Sequence, residues 1–148
     1  MLDGTKRCTL NFKIFIAGVV AGVLSNVSGY FITGRWFHRF QSQTPNTWRA
    51  SESWVHYQYA ALIRLLVCIG VAYAFAALTN QAIPVSSSAA YRGVLFGGFL
   101  WLVTALPIIV ETSLFVNWHK GFVVGLLLDW FVLMLLAGIA GAIAVSAI

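Results

Sequence analysis

Four apolar runs, each long enough to cross a bilayer, fix most of what this chain can become. They cover residues 12–33, 57–78, 93–116 and 121–145. A hydrocarbon core of about 30 Å needs about 20 apolar residues of helix. Within lipid every backbone N–H and C=O must be satisfied inside the segment, which leaves the α-helix as the spanning form for runs of this length. The expected fold is therefore all-α: a four-helix transmembrane bundle, one integral membrane domain over 1–148, with both termini on one side. Only 9% of the 148 residues are charged and the mean hydropathy is +0.86. Soluble domains carry about 25% charged residues, so this composition cannot furnish the polar surface of a soluble fold.

Lys6, Arg7 and Lys13 precede the first run, as in the basic head of a signal peptide. The run continues to Thr33, too long for a signal-peptide core, and Gly29-Tyr30-Phe31 is a poor small-residue cleavage site. It reads as a retained first span. The connection over 34–56 is aromatic and basic. Trp36, Phe37, Phe40, Trp48 and Trp54 alternate with Arg35, Arg39 and Arg49. This predicts an interfacial aromatic loop between helices 1 and 2, part of it lying flat on the membrane. Trp36, Trp48, Trp54 and Trp118 are expected among the headgroups of the membrane lipids. Ser51 and Glu52 suit the capped start of the second helix. The connection over 79–92 holds Pro84 and Ser86-Ser87-Ser88 and reads as a polar loop. The one over 117–120 is a tight turn, making the last two spans antiparallel neighbours. Pro107 should bend the third span just before Glu111.

The basic residues are scattered over flanks and loops, so the net charge of +5 matches anionic headgroups rather than nucleic acid. They do not fix orientation. Lys6, Arg7, Lys13 and Arg92 flank one side, and Arg35, Arg39, Arg49 and Lys120 the other. The compact basic group before the first span places both termini in the cytoplasm of a bacterial inner membrane.

Three ionisable residues lie inside the spans: Arg64, Glu111 and Asp129. Nine Leu, Ile, Val or Phe residues between Leu62 and Leu78 offer about −3 to −5 kcal/mol of insertion free energy, against about +2.5 to +3.5 for a mid-helix arginine. The second span therefore inserts despite Arg64. At about 1.5 Å per residue, Asn26, Arg64, Glu111 and Asp129 share one depth, on the side of the first and third connections. Buried charges in membranes point to function or to a partner. Two arrangements fit this buried polar cluster. One is an internal salt bridge of Arg64 with Glu111 or Asp129. The other is a polar pocket open to that side.

Glycines four residues apart, Gly18/Gly22, Gly93/Gly97 and Gly121/Gly125, are expected to let helices pack closely. Asn26 and Asp129 each follow such a pair by four residues, on the same helix face. The chemistry-bearing patterns are few. No paired cysteines and no HExxH sequence argue for a metal, and Cys8 and Cys68 give no disulfide framework. No histidine lies deep in a span where it could hold a haem. No glycine loop followed by Lys-Ser/Thr argues for a nucleotide. No catalytic residue, cofactor or metal is expected.

The first span ends in Ser28-Gly29-Tyr30-Phe31, followed by Trp36. The third carries Gly93-Val94-Leu95-Phe96-Gly97-Gly98-Phe99-Leu100-Trp101, and the last contains Gly138. In these motifs, over about residues 12–144, the chain resembles the small bacterial four-span membrane proteins grouped as domain of unknown function 1761. That resemblance implies a four-span fold and brings no catalytic residues with it. The segment from Gln41 to Ala50 departs from it. The sequence thus leads to a non-enzymatic subunit or assembly partner of a larger membrane complex, contacting other subunits or itself. A homo-oligomeric small-solute or proton-coupled transporter using the Arg/Glu/Asp cluster is the alternative. A lipid- or quinone-acting membrane enzyme comes third.

Overall fold

The computed structural model describes residues 4–47, 53–82 and 88–146. Among them, four helical rods are long and apolar enough to cross a membrane: Cys8–Gln43, Trp54–Leu78, Ala89–Phe115 and Lys120–Ser146. Together they make a four-helix bundle, a small multi-pass membrane protein. The first rod is α1 (Gly4–Gly29), which continues as a π-helix (Tyr30–Phe37) and a 3₁₀ segment (His38–Gln43). The second is α2 (Trp54–Ala82). The third comprises α3 (Ala89–Leu100), a π-helical turn (Trp101–Ala105) and α4 (Leu106–Phe115). The fourth is α5 (Lys120–Ser146).

The rods alternate in direction around α5, which touches all the others. Close approach at glycine sets the register. Added Cβ atoms at Gly18 and Gly22 would come within 2.6 Å of Ile69 Cα and Leu65 Cδ1 of α2. Gly93 and Gly97 of α3 press on Gly138, Ile139 and the Met134 carbonyl of α5, and Gly141 lies against Ala72 and Phe75 of α2. With lipid on the outside, burial of apolar surface does not drive helices together, and backbone proximity supplies the dispersion contacts instead. Phe75, Cys68 and Leu133 fill the centre completely buried, and the Phe75 and Phe96 rings meet edge to face at 5.3 Å.

Two features differ from the sequence expectation. The first span does not stop at Thr33. Its rod runs on to Gln43 because Thr33, Phe37 and Phe40 form one helical face that docks on α5. The Phe37 ring covers Gly125 and the Phe40 ring covers Gly121. Phe40 also stacks on His119 at 4.7 Å with the planes 6° apart. The loop's phenylalanines thus pack inward, while Trp36 and Trp54 are exposed and Trp118 is half-buried. Trp48 and the Ser51-Glu52 cap lie outside the described residues. Secondly, the irregular turn of the third rod falls at Trp101–Ala105, on the N-terminal side of Pro107, rather than next to Glu111. A proline ring clashes with the carbonyl four residues back, and the wider π-turn just ahead of it accommodates that loss.

Hydrogen bonds fix the described ends of the other connections. Ser88 caps α3 by accepting from the Tyr91 N–H at 3.3 Å. After α4 the chain turns through an extended Val116, and His119 Nδ1 accepts the Gly121 N–H at 3.0 Å as α5 begins. Thr47 Oγ1 donates to the Asn117 carbonyl at 3.1 Å, tying the first connection to the third.

Candidate functional site

Arg64 on α2 and Asp129 on α5 face each other because these two helices run parallel and share a register. Nη1 of Arg64 donates to Asp129 Oδ2 at 2.6 Å and Nη2 donates to Oδ1 at 2.8 Å. Both side chains are largely buried, 14% and 5% exposed. The third helix of the site is α1. Nη2 also donates to the Ser25 carbonyl at 2.7 Å and to its hydroxyl at 2.9 Å. From the π-helical extension Thr33 Oγ1 donates to Asp129 Oδ2 at 2.9 Å. Two-point guanidinium–carboxylate pairing is among the strongest side-chain interactions. Moving such ions out of water is compensated only when the geometry is good and the remaining hydrogen-bonding capacity is filled. Ser25 and Thr33 fill much of it here, while Arg64 Nε lies buried without a hydrogen-bond partner among the described residues.

Of the four residues expected to cluster, three come together. Asn26 sits one position beyond Ser25. Its Nδ2 donates to Gly22 O at 2.9 Å and to the Ala61 carbonyl of α2 at 3.3 Å. Glu111 does not join them. It is exposed on α4, and among the described residues Asp129 is the carboxylate that pairs with Arg64. Equal depth along a helix leaves the azimuth open, and each helical residue adds about 100° of rotation. The extra residue of the π-turn at Trp101–Ala105 shifts that azimuth again.

Ser25, Gly29 and Thr33 belong to the site although no charge in the sequence marks them. They recur every four residues, continuing the small-residue face of Gly18 and Gly22, and that spacing was the available signal. Gly29 matters because the Arg64 guanidinium lies against its backbone.

A cavity of about 330 Å³ adjoins the ion pair, between the π-helical extension and the first turns of α2. Asn26, Thr33, His38, Gln41 and Tyr57 give it a polar lining, and Arg64 and Asp129 form part of its wall. A second cavity of about 390 Å³ is apolar and lies between the third rod, α2 and α5, bounded by Val67, Ile109, Trp130 and Met134. The histidines go separate ways. His38 reaches the first cavity, His56 Nδ1 meets Ser53, and His119 stacks on Phe40. Among the described residues no group of three or more His, Cys, Asp or Glu side chains is placed to hold a metal. Cys8 is exposed and Cys68 is buried.

The chain matches no protein-family model, and no curated protein or solved structure matches it at a significant level of similarity.

Proposed function

We propose that this protein is a non-enzymatic subunit or assembly partner of a larger membrane complex, set in a bacterial cytoplasmic membrane with both termini inside. The observation that carries this reading is the two-point pairing of Arg64 with Asp129. Each charge is engaged by the other and by Ser25 or Thr33, so the pair serves to lock three helices together. Glu111 adds support. It is an exposed carboxylate on α4, and a charge on the outer face of a membrane helix favours a polar partner or the headgroup layer. The kinship suggested by the sequence motifs is part of the proposal, and Gly93, Gly97 and Gly138, which carry it, are the residues where α3 meets α5. Native mass spectrometry of the protein extracted from its own membrane tests the reading. A hetero-complex mass is expected; recovery of the single chain or a homo-oligomer alone would overturn it.

One observation favours the transporter as a second reading: Asp129 lines a cavity. Under that reading Asp129→Asn abolishes flux in proteoliposomes, and flux unchanged from native excludes Asp129 from it.

A further inference from the structure

We propose that the end of the first rod and the start of α5 form a binding site for the phosphodiester headgroup of an anionic phospholipid. The inference stands apart from the subunit reading, since such a lipid can bind a protein alone or in a complex.

Three exposed cations come to this place from two distant parts of the chain. Arg35 and Arg39 belong to the last turns of the first rod, and Lys120 opens α5. The Phe40 ring brings them together. Arg39 Cζ stands 5.0 Å from its centre. The His119 ring stacks on it at 4.7 Å, and its edge covers Gly121. Lys120 sits between His119 and Gly121 in the chain, so it and Arg39 are held beside one ring. Arg35 precedes Arg39 by four residues, about one helical turn. The rings of Phe37 and Phe40 dock this extension on Gly125 and Gly121. The cations thus belong to a fixed surface rather than a loose flank, and a surface ordered in advance loses less freedom when it binds.

Charge selects an anion. None of Arg35, Arg39 and Lys120 forms an ion pair with a described residue. Like charges four residues apart on a helix repel each other, and an anion bound between them relieves that repulsion. The planar guanidinium matches two phosphate oxygens at once. His119 adds a donor. Its Nδ1 accepts the Gly121 N–H at 3.0 Å, so in the neutral ring the proton is on Nε2. Depth selects a lipid as the source of the phosphate. All three cations stand at the ends of rods long and apolar enough to cross a membrane. Trp36, next to Arg35, is exposed, and tryptophan gathers at the headgroup level. Basic pockets between membrane helices hold anionic headgroups by the same attraction.

The full chain in mild detergent would be titrated with dioleoyl phosphatidylglycerol and, separately, with dioleoyl phosphatidylcholine, and the retained lipid counted by native mass spectrometry. Tighter, saturable retention of phosphatidylglycerol is expected, unaffected by millimolar inorganic phosphate. Removing one positive charge near a membrane surface weakens the hold on an anionic lipid about fivefold, so Arg35→Gln, Arg39→Gln and Lys120→Gln should each lower the affinity by about that factor. Arg92 bonds to Ser146 at the far end of α5, and Arg92→Gln should leave the affinity native. Phe40→Leu keeps every charge but removes the ring, and should weaken retention as well. The charge variants alter exposed side chains, and near-UV circular dichroism checks that each is folded. Equal retention of the two lipids overturns the inference. So does a preference that the three charge variants leave intact, or that Arg92→Gln reduces as much as they do. Displacement by inorganic phosphate overturns the assignment to a lipid, and native affinity in folded Phe40→Leu overturns the assembly of the site around that ring.

Discussion

The Arg64 guanidinium is packed against the backbone of Gly29, where a methyl group would stand 2.9 Å from both Cζ and Nη2. Hydrogen bonds to Asp129 and Ser25 hold the guanidinium in place, so it cannot withdraw freely. Gly29→Ala is expected to cost about 1–3 kcal/mol, the range for overpacking a filled site. The same change in an Arg64→Met background should cost far less, because the obstructing group is then flexible and unpaired. Unfolding in mild detergent, followed by near-UV circular dichroism, measures both. Equal costs in the two backgrounds would separate Gly29 from the ion pair.

Glycines that look alike in sequence should respond with opposite sign. Gly97 presses on the Met134 carbonyl and the backbone of Leu135, whereas an added Cβ at the adjacent Gly98 meets nothing within 4 Å. Gly97→Ala should destabilise the α3–α5 contact. Gly98→Ala should stabilise the protein by up to about 1 kcal/mol through helix propensity alone. Thermal midpoints of the two variants in one detergent decide this, and a shift in the same direction for both contradicts the packing described.

The π-helical extension is held to α5 by the Phe37 ring on Gly125 and the Phe40 ring on Gly121. Phe37→Ala should release it. Amide exchange over residues 34–43 is expected to rise sharply while α3 and α5 keep native protection, since local opening follows the loss of local contacts. Unchanged exchange over 34–43 would show that these rings do not anchor the segment.

Much of this arrangement was legible in the sequence. The number and extent of the apolar runs require four helices, and lipid leaves no other way to satisfy their backbones. Glycine pairs mark the faces that touch, because spacing by four residues returns a side chain to one face. Arg64 and Asp129 stand out as charges too costly to leave unpaired. What spacing could not supply was azimuth across irregular turns. Glu111 follows a π-turn and points elsewhere. Phe37 and Phe40 sit among Arg35, His38 and Arg39, and those polar neighbours disguise a continuing helix as a membrane flank. Thr33 and Ser25 carry no charge, so nothing in their chemistry announces an ion pair until the helices are packed.

The central claim is that Arg64 and Asp129 act as one internal lock, and a double-mutant cycle tests it most directly. Arg64→Met and Asp129→Leu, singly and together, would be compared by unfolding in a mild detergent. Removing one member of a buried pair leaves the other charge uncompensated, at a cost of about 3–5 kcal/mol, while replacing both with apolar groups is often near neutral. The double variant should therefore be more stable than either single one. If the two losses simply add, the pair is not coupled and the account of the site is wrong.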